Sequence, residues 1–193
     1  MCPCRTLTHT KLTTSMGKSF NSKERHALIA LYQATGGKSW LYQKNWLSSQ
    51  SLCHWEGVMC ANGRVVGLEL TNGNLRGALP PEIGELTDLQ MLWLDHNQLS
   101  GLPSEIGQLA HLHDLALSHN LLSELPPEIC CLTGLQALFL SNNRLRELPK
   151  NIDRLTHLKV LDLSGNQLPE LPTRLDQLFR LEKLWLHGQL TAG

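Results

Sequence analysis

The sequence predicts an α/β solenoid, in which stacked repeats each add one short strand to a curved parallel sheet. Three observations predict it: leucines recur at a fixed spacing of 23 residues, each complete repeat carries a leucine pair separated by one residue, and a proline follows that pair. A unit of this size cannot bury its own leucines, so its stability must come from stacking on its neighbours. The spacing is set by Leu86, Leu109, Leu132, Leu155 and Leu178.

The N-terminal residues 1–20 are predicted to be a flexible tail. They are rich in serine and threonine, and they contain no apolar run of the about 7–15 residues that a secretory signal requires. We therefore expect the protein to be cytoplasmic, and secretion by a non-classical or effector route is the alternative.

Residues 21–62 are predicted to form a cap over the first repeat, because the open end of a solenoid would expose its leucines. Ser22 is the expected N-cap of a helix whose apolar stripe comprises Ala27, Leu28 and Leu31. The glycines at 36 and 37 are expected to end this helix, since glycine accepts a positive φ.

Residues 63–188 are predicted to form six strands in units of 23 or 24 residues, followed by a C-terminal tail at 189–193. The paired leucines of each strand point into the core, because side chains alternate between the two faces of a strand. The proline blocks continuation of the strand, so the chain returns along the convex face through loops and short helical turns. A long amphipathic helix is excluded, since a proline in every unit would break it.

An asparagine follows the strand in four repeats, where the chain turns away from the sheet. Its amide carries donors and an acceptor, and stacked repeats would align these amides into a ladder that pairs buried turn groups. Glycine and glutamine replace asparagine in the first and last repeats, at Gly73 and Gln189. The predicted ladder residues are Asn97, Asn120, Asn143 and Asn166.

The residue between the paired leucines is predicted to face the concave side. Three of these residues are the large aromatics Trp93, Phe139 and Trp185. Folding does not require such side chains on an open sheet, so they favour a protein interface. The alternative is that the rings lie along the sheet and shield its backbone. The other residues assigned to the partner-binding face are Glu69, Asp95, His96, His113, His119 and Asp162.

His96 and His119 occupy the same position one repeat apart, so they are expected to be neighbours about 5 Å apart on adjacent strands. His113 is expected in the same region. The favoured interpretation is a solvated rim of the concave face. The alternatives are a pH-sensitive contact with a partner and weak binding of added zinc. No metal site is predicted.

The repeats resemble the leucine-rich-repeat family over residues 63–188. The cap, with Trp40, Trp46 and the motif C-x-W-x-G-V-x-C from Cys53 to Cys60, resembles that of plant receptor-kinase ectodomains and polygalacturonase inhibitors. It is more similar still to plant-like repeat proteins of protists and bacteria. The resemblance implies a Cys53–Cys60 disulfide and tryptophans packed on the first repeat. Reduced thiols or a metal pair stay open as alternatives, although the gap does not match the usual zinc spacing.

The sequence predicts a recognition module that binds a protein partner through the concave face, in signalling or as a host-directed effector. An extracellular receptor or inhibitor of the plant-defence type is the alternative. With 17 basic and 17 acidic residues and no basic stripe, nucleic-acid binding is not expected. No apolar run approaches the about 20 residues of a membrane helix, so membrane insertion is not expected either. No catalytic motif, catalytic residue or cofactor site is found, so the protein is predicted not to be an enzyme.

Overall fold

The computed structural model of the chain describes residues 16–170 and 175–189. Residues 1–15 and 190–193 of the predicted tails lie outside the described residues, as do Leu171 and Pro172 of the fourth full repeat.

The cap begins with the helix α1, Met16–Ala34. This helix starts before Ser22, so the predicted N-cap is wrong, and residues 16–20 are helical rather than part of a tail. No proline lies between Met16 and Ser22, so nothing in the backbone stops the helix from extending toward the N-terminus. The helix ends close to Gly36, which has a φ of 71° in the left-handed region that favours glycine.

The described residues form nine strands. Each repeat contributes a strand of three to six residues around its leucine pair, and three further strands lie in the cap and in the first two repeats. The strands are β1 (Val58–Ala61), β2 (Arg64–Glu69), β3 (Arg76–Ala78), β4 (Met91–Trp93), β5 (Gln98–Gly101), β6 (Asp114–Ala116), β7 (Ala137–Phe139), β8 (Val160–Asp162) and β9 (Lys183–Trp185).

The main sheet has the order β1-β2-β4-β6-β7-β8-β9. The strand β1 belongs to the cap and pairs antiparallel with β2, whereas all later neighbours pair in parallel. The six parallel strands correspond to those that the repeats predict. A second, two-stranded parallel sheet joins β3 to β5. Neither β1 nor this second sheet follows from the repeat pattern.

The leucines of the repeats form one continuous core. Leu92 and Leu94, on either side of Trp93, are fully buried, and the corresponding leucines of the other internal repeats are as well. On the opposite side the chain returns through short 3-10 turns. The predicted solenoid, with its sheet on the concave face and helical turns on the convex face, is confirmed. The turns are Pro81–Glu85, Ser104–Gln108, Pro127–Cys131, Ile152–Arg154 and Leu175–Gln177.

The cap covers the first-repeat end of this core with four buried aromatic rings. The ring centroids of Trp40 and Trp46 are 4.8 Å apart, and those of Trp46 and Trp55 are 5.0 Å apart. Tyr32 contacts both Trp40 and Trp46. The guanidinium carbon of Arg25 lies 5.1 Å from the Trp55 ring centroid. The tryptophans belong to one buried cluster with Val65, Leu68 and Leu70 of the first repeat, as the resemblance implies.

Polar and covalent links fasten the cap to the sheet. Glu24 of α1 is 1% exposed, and its Oε1 accepts a hydrogen bond from Arg64 Nε of β2 at 2.8 Å. Arg64 also pairs with Asp88 at 2.6 Å. Cys53 and Cys60 form a disulfide, which confirms the pairing that the resemblance implies.

The other end of the described sheet is uncovered. The outer edge of β9 has no strand partner among the described residues. Leu184 and Trp185 of this strand are 38% and 36% exposed, and Phe179 before it is 90% exposed. The equivalent leucine of the preceding strand, Leu161, is fully buried. Burial of the core thus falls off within one repeat.

Candidate binding site on the concave face

A ladder of buried amides fixes the strand ends that carry the candidate site. Asn120 Oδ1 accepts a hydrogen bond from Leu99 N at 2.9 Å, and its Nδ2 donates to Leu94 O at 2.9 Å and Leu117 O at 3.1 Å. One side chain therefore joins two successive repeats. The same bonds recur at the other predicted ladder positions, Asn97, Asn143 and Asn166.

The ladder ends differently at its two limits. Gln189 continues it, since its Oε1 accepts from Leu168 N at 3.2 Å and its Nε2 donates to Leu163 O at 2.8 Å. Gly73 has no side-chain amide. Its backbone carbonyl accepts a hydrogen bond from Leu41 N of the cap at 3.0 Å. The cap thus takes over hydrogen bonding where the first repeat lacks asparagine.

Three rows of side chains cross the concave face. The residues between the paired leucines form the middle row, and those two positions before and after them form the N-terminal and C-terminal rows. The middle row is Glu69, Trp93, Ala116, Phe139, Asp162 and Trp185. The N-terminal row is Gly67, Met91, Asp114, Ala137, Val160 and Lys183. The C-terminal row is Thr71, Asp95, Ser118, Ser141, Ser164 and His187.

Within the middle row, Trp93 and Phe139 are half-buried and lie on either side of Ala116. Their strands are two spacings apart, about 9.6 Å. The difference in size between the alanine and its aromatic neighbours leaves a depression of about 490 Å³. Its lining comes from all three rows: Thr71, Trp93, Asp95, Asp114, Ala116, Ser118 and Phe139.

Two predicted carboxylates are held in place by the backbone. Asp95 Oδ1 accepts a hydrogen bond from Ser118 N at 2.7 Å, and Asp162 Oδ1 accepts one from Ser164 N at 3.0 Å. Glu69, at the first strand of the repeats, is exposed. The carboxylates of the concave face therefore stay available to a partner in fixed or solvated positions.

The His96 and His119 rings are stacked, with centroids 4.1 Å apart and an angle of 11° between the ring planes. Both residues have left-handed backbone, with φ of 54° and 55°. The same turn position has positive φ in the other repeats, where it is occupied by asparagine or glycine. Histidine is among the residues that tolerate this conformation better than most. The left-handed backbone at this turn position therefore explains the residue types found there, including His96 and His119, and no bound ligand is needed to explain them.

His113 lies away from the other two histidines, so the expected grouping of all three is wrong. It immediately precedes β6, whereas His119 follows the same strand. The length of β6 separates the two residues, so His113 lies at the other end of this strand from His119.

Comparison with known proteins assigns the repeats to a protein family. A family model described as a leucine-rich repeat region matches residues 105–192, and a second, described as Leucine Rich Repeat, matches residues 88–109. A chain in the solved BIR3–SERK2 complex from Arabidopsis thaliana is 30% identical, with 86% of this chain and 97% of that chain covered and a TM-score of 0.67. This chain belongs to the leucine-rich-repeat family.

The leucine-rich-repeat relatives come from plants and bacteria, which confirms the predicted resemblance. A leucine-rich-repeat protein of Leptospira interrogans is 43% identical over 65% of this chain and 32% of that chain, with a TM-score of 0.62. Protein MALE DISCOVERER 2 of Arabidopsis thaliana is 44% identical over 59 residues, or 30% of this chain. The match covers only 9% of that protein, so this chain corresponds to a small part of its curated relative.

Sequence reasoning missed part of this leucine-rich-repeat face. It assigned His113, which lies just before β6, instead of Asp114 of the N-terminal row, and it did not assign Met91. Counting back two residues from Trp93 and Ala116 would have identified both, because strand side chains alternate. A Cβ at Gly67 would lie 2.6 Å from Met59 Cε and 3.3 Å from Met91 Cε, so both methionines cover the sheet there.

Two further kinds of site were sought in the described part of the chain. None of its helices is both long enough and apolar enough to cross a membrane. Within the same residues, no group of three or more histidine, cysteine, aspartate or glutamate side chains could hold a metal ion.

Proposed function

We propose that this leucine-rich-repeat chain is a recognition module that binds a protein partner through its concave face, and that it is not an enzyme. The setting we propose is cytoplasmic signalling, or action as an effector on a host protein. The observation that carries the proposal is the half-exposed pair Trp93 and Phe139 beside Ala116. Alanine occupies the same backbone environment between them, so folding does not require an aromatic ring at this position.

The surroundings of the two rings support a protein partner. An apolar centre with a polar rim is typical of protein interfaces, and aromatic residues concentrate the binding energy there. The similar chain from the BIR3–SERK2 structure was solved in a complex of two proteins.

Affinity capture from the native source, followed by mass spectrometry and a binding titration, tests this proposal. We expect the double change Trp93→Ala and Phe139→Ala to weaken binding of the captured partner at least about tenfold, since each hot-spot truncation costs about 2 kcal/mol. The melting temperature of the same variant is measured as well, so that a loss of binding is distinguished from a loss of folding.

Glu128→Ala provides the matched control, since Glu128 lies in a 3-10 turn on the convex side. It should leave both the affinity and the melting temperature unchanged. A double aromatic variant that binds the same partner as tightly as the wild type would show that the binding surface lies elsewhere.

A second candidate function is an extracellular receptor or inhibitor of the plant-defence type. The Cys53–Cys60 disulfide favours it, because disulfides persist in oxidising compartments and are reduced in the cytosol. Cys53 is exposed, so cellular reductants could reach the bond.

The redox state of the two cysteines in protein from its native source separates the candidates. The test is alkylation under denaturing conditions before and after reduction, with peptide mass spectrometry of residues 53 and 60. Oxidised cysteines support the extracellular candidate, and alkylated thiols before reduction support the cytoplasmic one.

A further inference from the structure

We infer that the depression at the centre of the concave face receives a cationic side chain, lysine or arginine, from the protein partner. This inference deepens the proposed function and rests on it. It specifies the chemistry of the partner at one position, from the charge, the aromatic geometry and the hydrogen bonding of the lining residues.

The concave face is acidic although the chain as a whole is balanced. The chain has 17 basic and 17 acidic residues. Across the strands β2 to β8, however, the three rows contain carboxylates and neither lysine nor arginine. Lys183 enters only with β9. Because composition does not impose this asymmetry, the face is complementary to a positively charged surface. The carboxylates are Glu69, Asp95, Asp114 and Asp162.

The two aromatic side chains that line the depression suit a cation. Trp93 and Phe139 are two strand spacings apart, about 9.6 Å, with only the alanine methyl group between them. A charged group above Ala116 lies about one strand spacing from each aromatic residue, so a ring face turned toward it comes within the about 6 Å at which cation–π attraction is significant, and tryptophan is the strongest such partner.

Two carboxylates line the same depression from opposite rows. Asp95 is held by the Ser118 N–H and is thus oriented before a ligand arrives. In the described part of the chain, Asp114 has no hydrogen bond or ion-pair partner for its carboxylate. An apolar partner group would remove both carboxylates from water without compensation, which is costly. A cation compensates them and contacts the rings at the same time.

Peptide selection on the full-length protein tests the inference. Random nine-residue peptides displayed on phage are selected on the wild type and counter-selected on Ala116→Trp, whose outward side chain fills the depression. We expect the retained peptides to share a lysine or arginine at one position. Replacing that residue with glutamine in the synthetic peptide should raise Kd at least about tenfold, in the range of desolvated charge pairs.

The protein side is tested with Asp95→Asn and Asp114→Asn together. Asparagine Oδ1 can still accept the Ser118 hydrogen bond, so the fold should be preserved, and the melting temperature checks this. The double variant should also weaken binding at least tenfold. Combined with the glutamine peptide it should lose little more, because both changes remove the same contact.

Three outcomes would overturn the inference: no peptide that depends on the depression, no enrichment of basic residues, or binding by the asparagine variant within twofold of the wild type. The double change Trp93→Ala and Phe139→Ala tells which claim has failed. If it still weakens the peptide tenfold, the concave face remains the binding surface and only the cationic partner is wrong. If it has no effect either, the proposed function fails as well.

Discussion

The two ends of the described solenoid carry the same residue type in opposite environments. Trp55 in the cap is 1% exposed, surrounded by aromatic rings and covered by the Arg25 guanidinium. Trp185 in β9 is 36% exposed on a strand whose outer edge is unpaired in the described chain. Each repeat buries its leucines only against its neighbours, so the first repeat depends on the cap for what a preceding repeat would otherwise supply. The contribution of a tryptophan to stability therefore depends on what covers it.

The largest expected effect separates these two tryptophans. Trp55→Ala should lower the free energy of unfolding by about 3–5 kcal/mol, the usual cost of removing a buried tryptophan. Trp185→Ala should cost clearly less, because Trp185 is 36% exposed and Trp55 only 1%. Urea denaturation of both variants measures the difference. Equal losses of unfolding free energy would mean that packing around Trp55 in the cap contributes no more to stability than packing around Trp185 at the uncovered end.

The disulfide should have an intermediate effect, confined to the capped end. Closing the short loop between Cys53 and Cys60 contributes about 2–3 kcal/mol in the chain-entropy description. Changing both cysteines to serine should therefore lower stability by that amount. Hydrogen exchange should become faster in β1 and β2 and stay unchanged in β8. Reductant should reproduce the effect in the wild type and have none on the serine variant; uniform acceleration across all strands would contradict a local role.

The smallest effect concerns the ladder and its position in the stack. Asn120→Ala leaves buried groups of two repeats without partners and should cost about 1–3 kcal/mol. Gln189→Ala should cost less, because Gln189 is half-buried at the uncovered end and water can replace its bonds. Asn151→Ala is the control, since this exposed residue lies outside the ladder, and it should stay within about 0.5 kcal/mol. Urea denaturation measures the free energy of unfolding of the three variants. Equal losses for Gln189→Ala and Asn120→Ala would show that the position of an amide in the stack does not affect its contribution to stability.

The sequence predicted the features that recur and missed those that occur once. The spacing of the leucines was sufficient for the six parallel strands, the asparagine ladder and the middle row, because each follows from strand alternation repeated at one period. The hairpin strand β1 and the second sheet of β3 and β5 break the period, so periodicity contains no signal for them. His113 was grouped with His119 because both are histidines close in sequence, although a strand lies between them.

The left-handed turn at His96 and His119 limits how this surface could be redesigned. In a combinatorial library aimed at new partners, the middle-row positions at Trp93, Ala116 and Phe139 could be randomised over many side chains, because extended backbone accepts them all. The histidine column could not, since most residues at φ near 55° carry a backbone penalty of about 1–2 kcal/mol. A library restricted there to asparagine, histidine and glycine would keep more of its members folded and concentrate its diversity where a partner can be contacted.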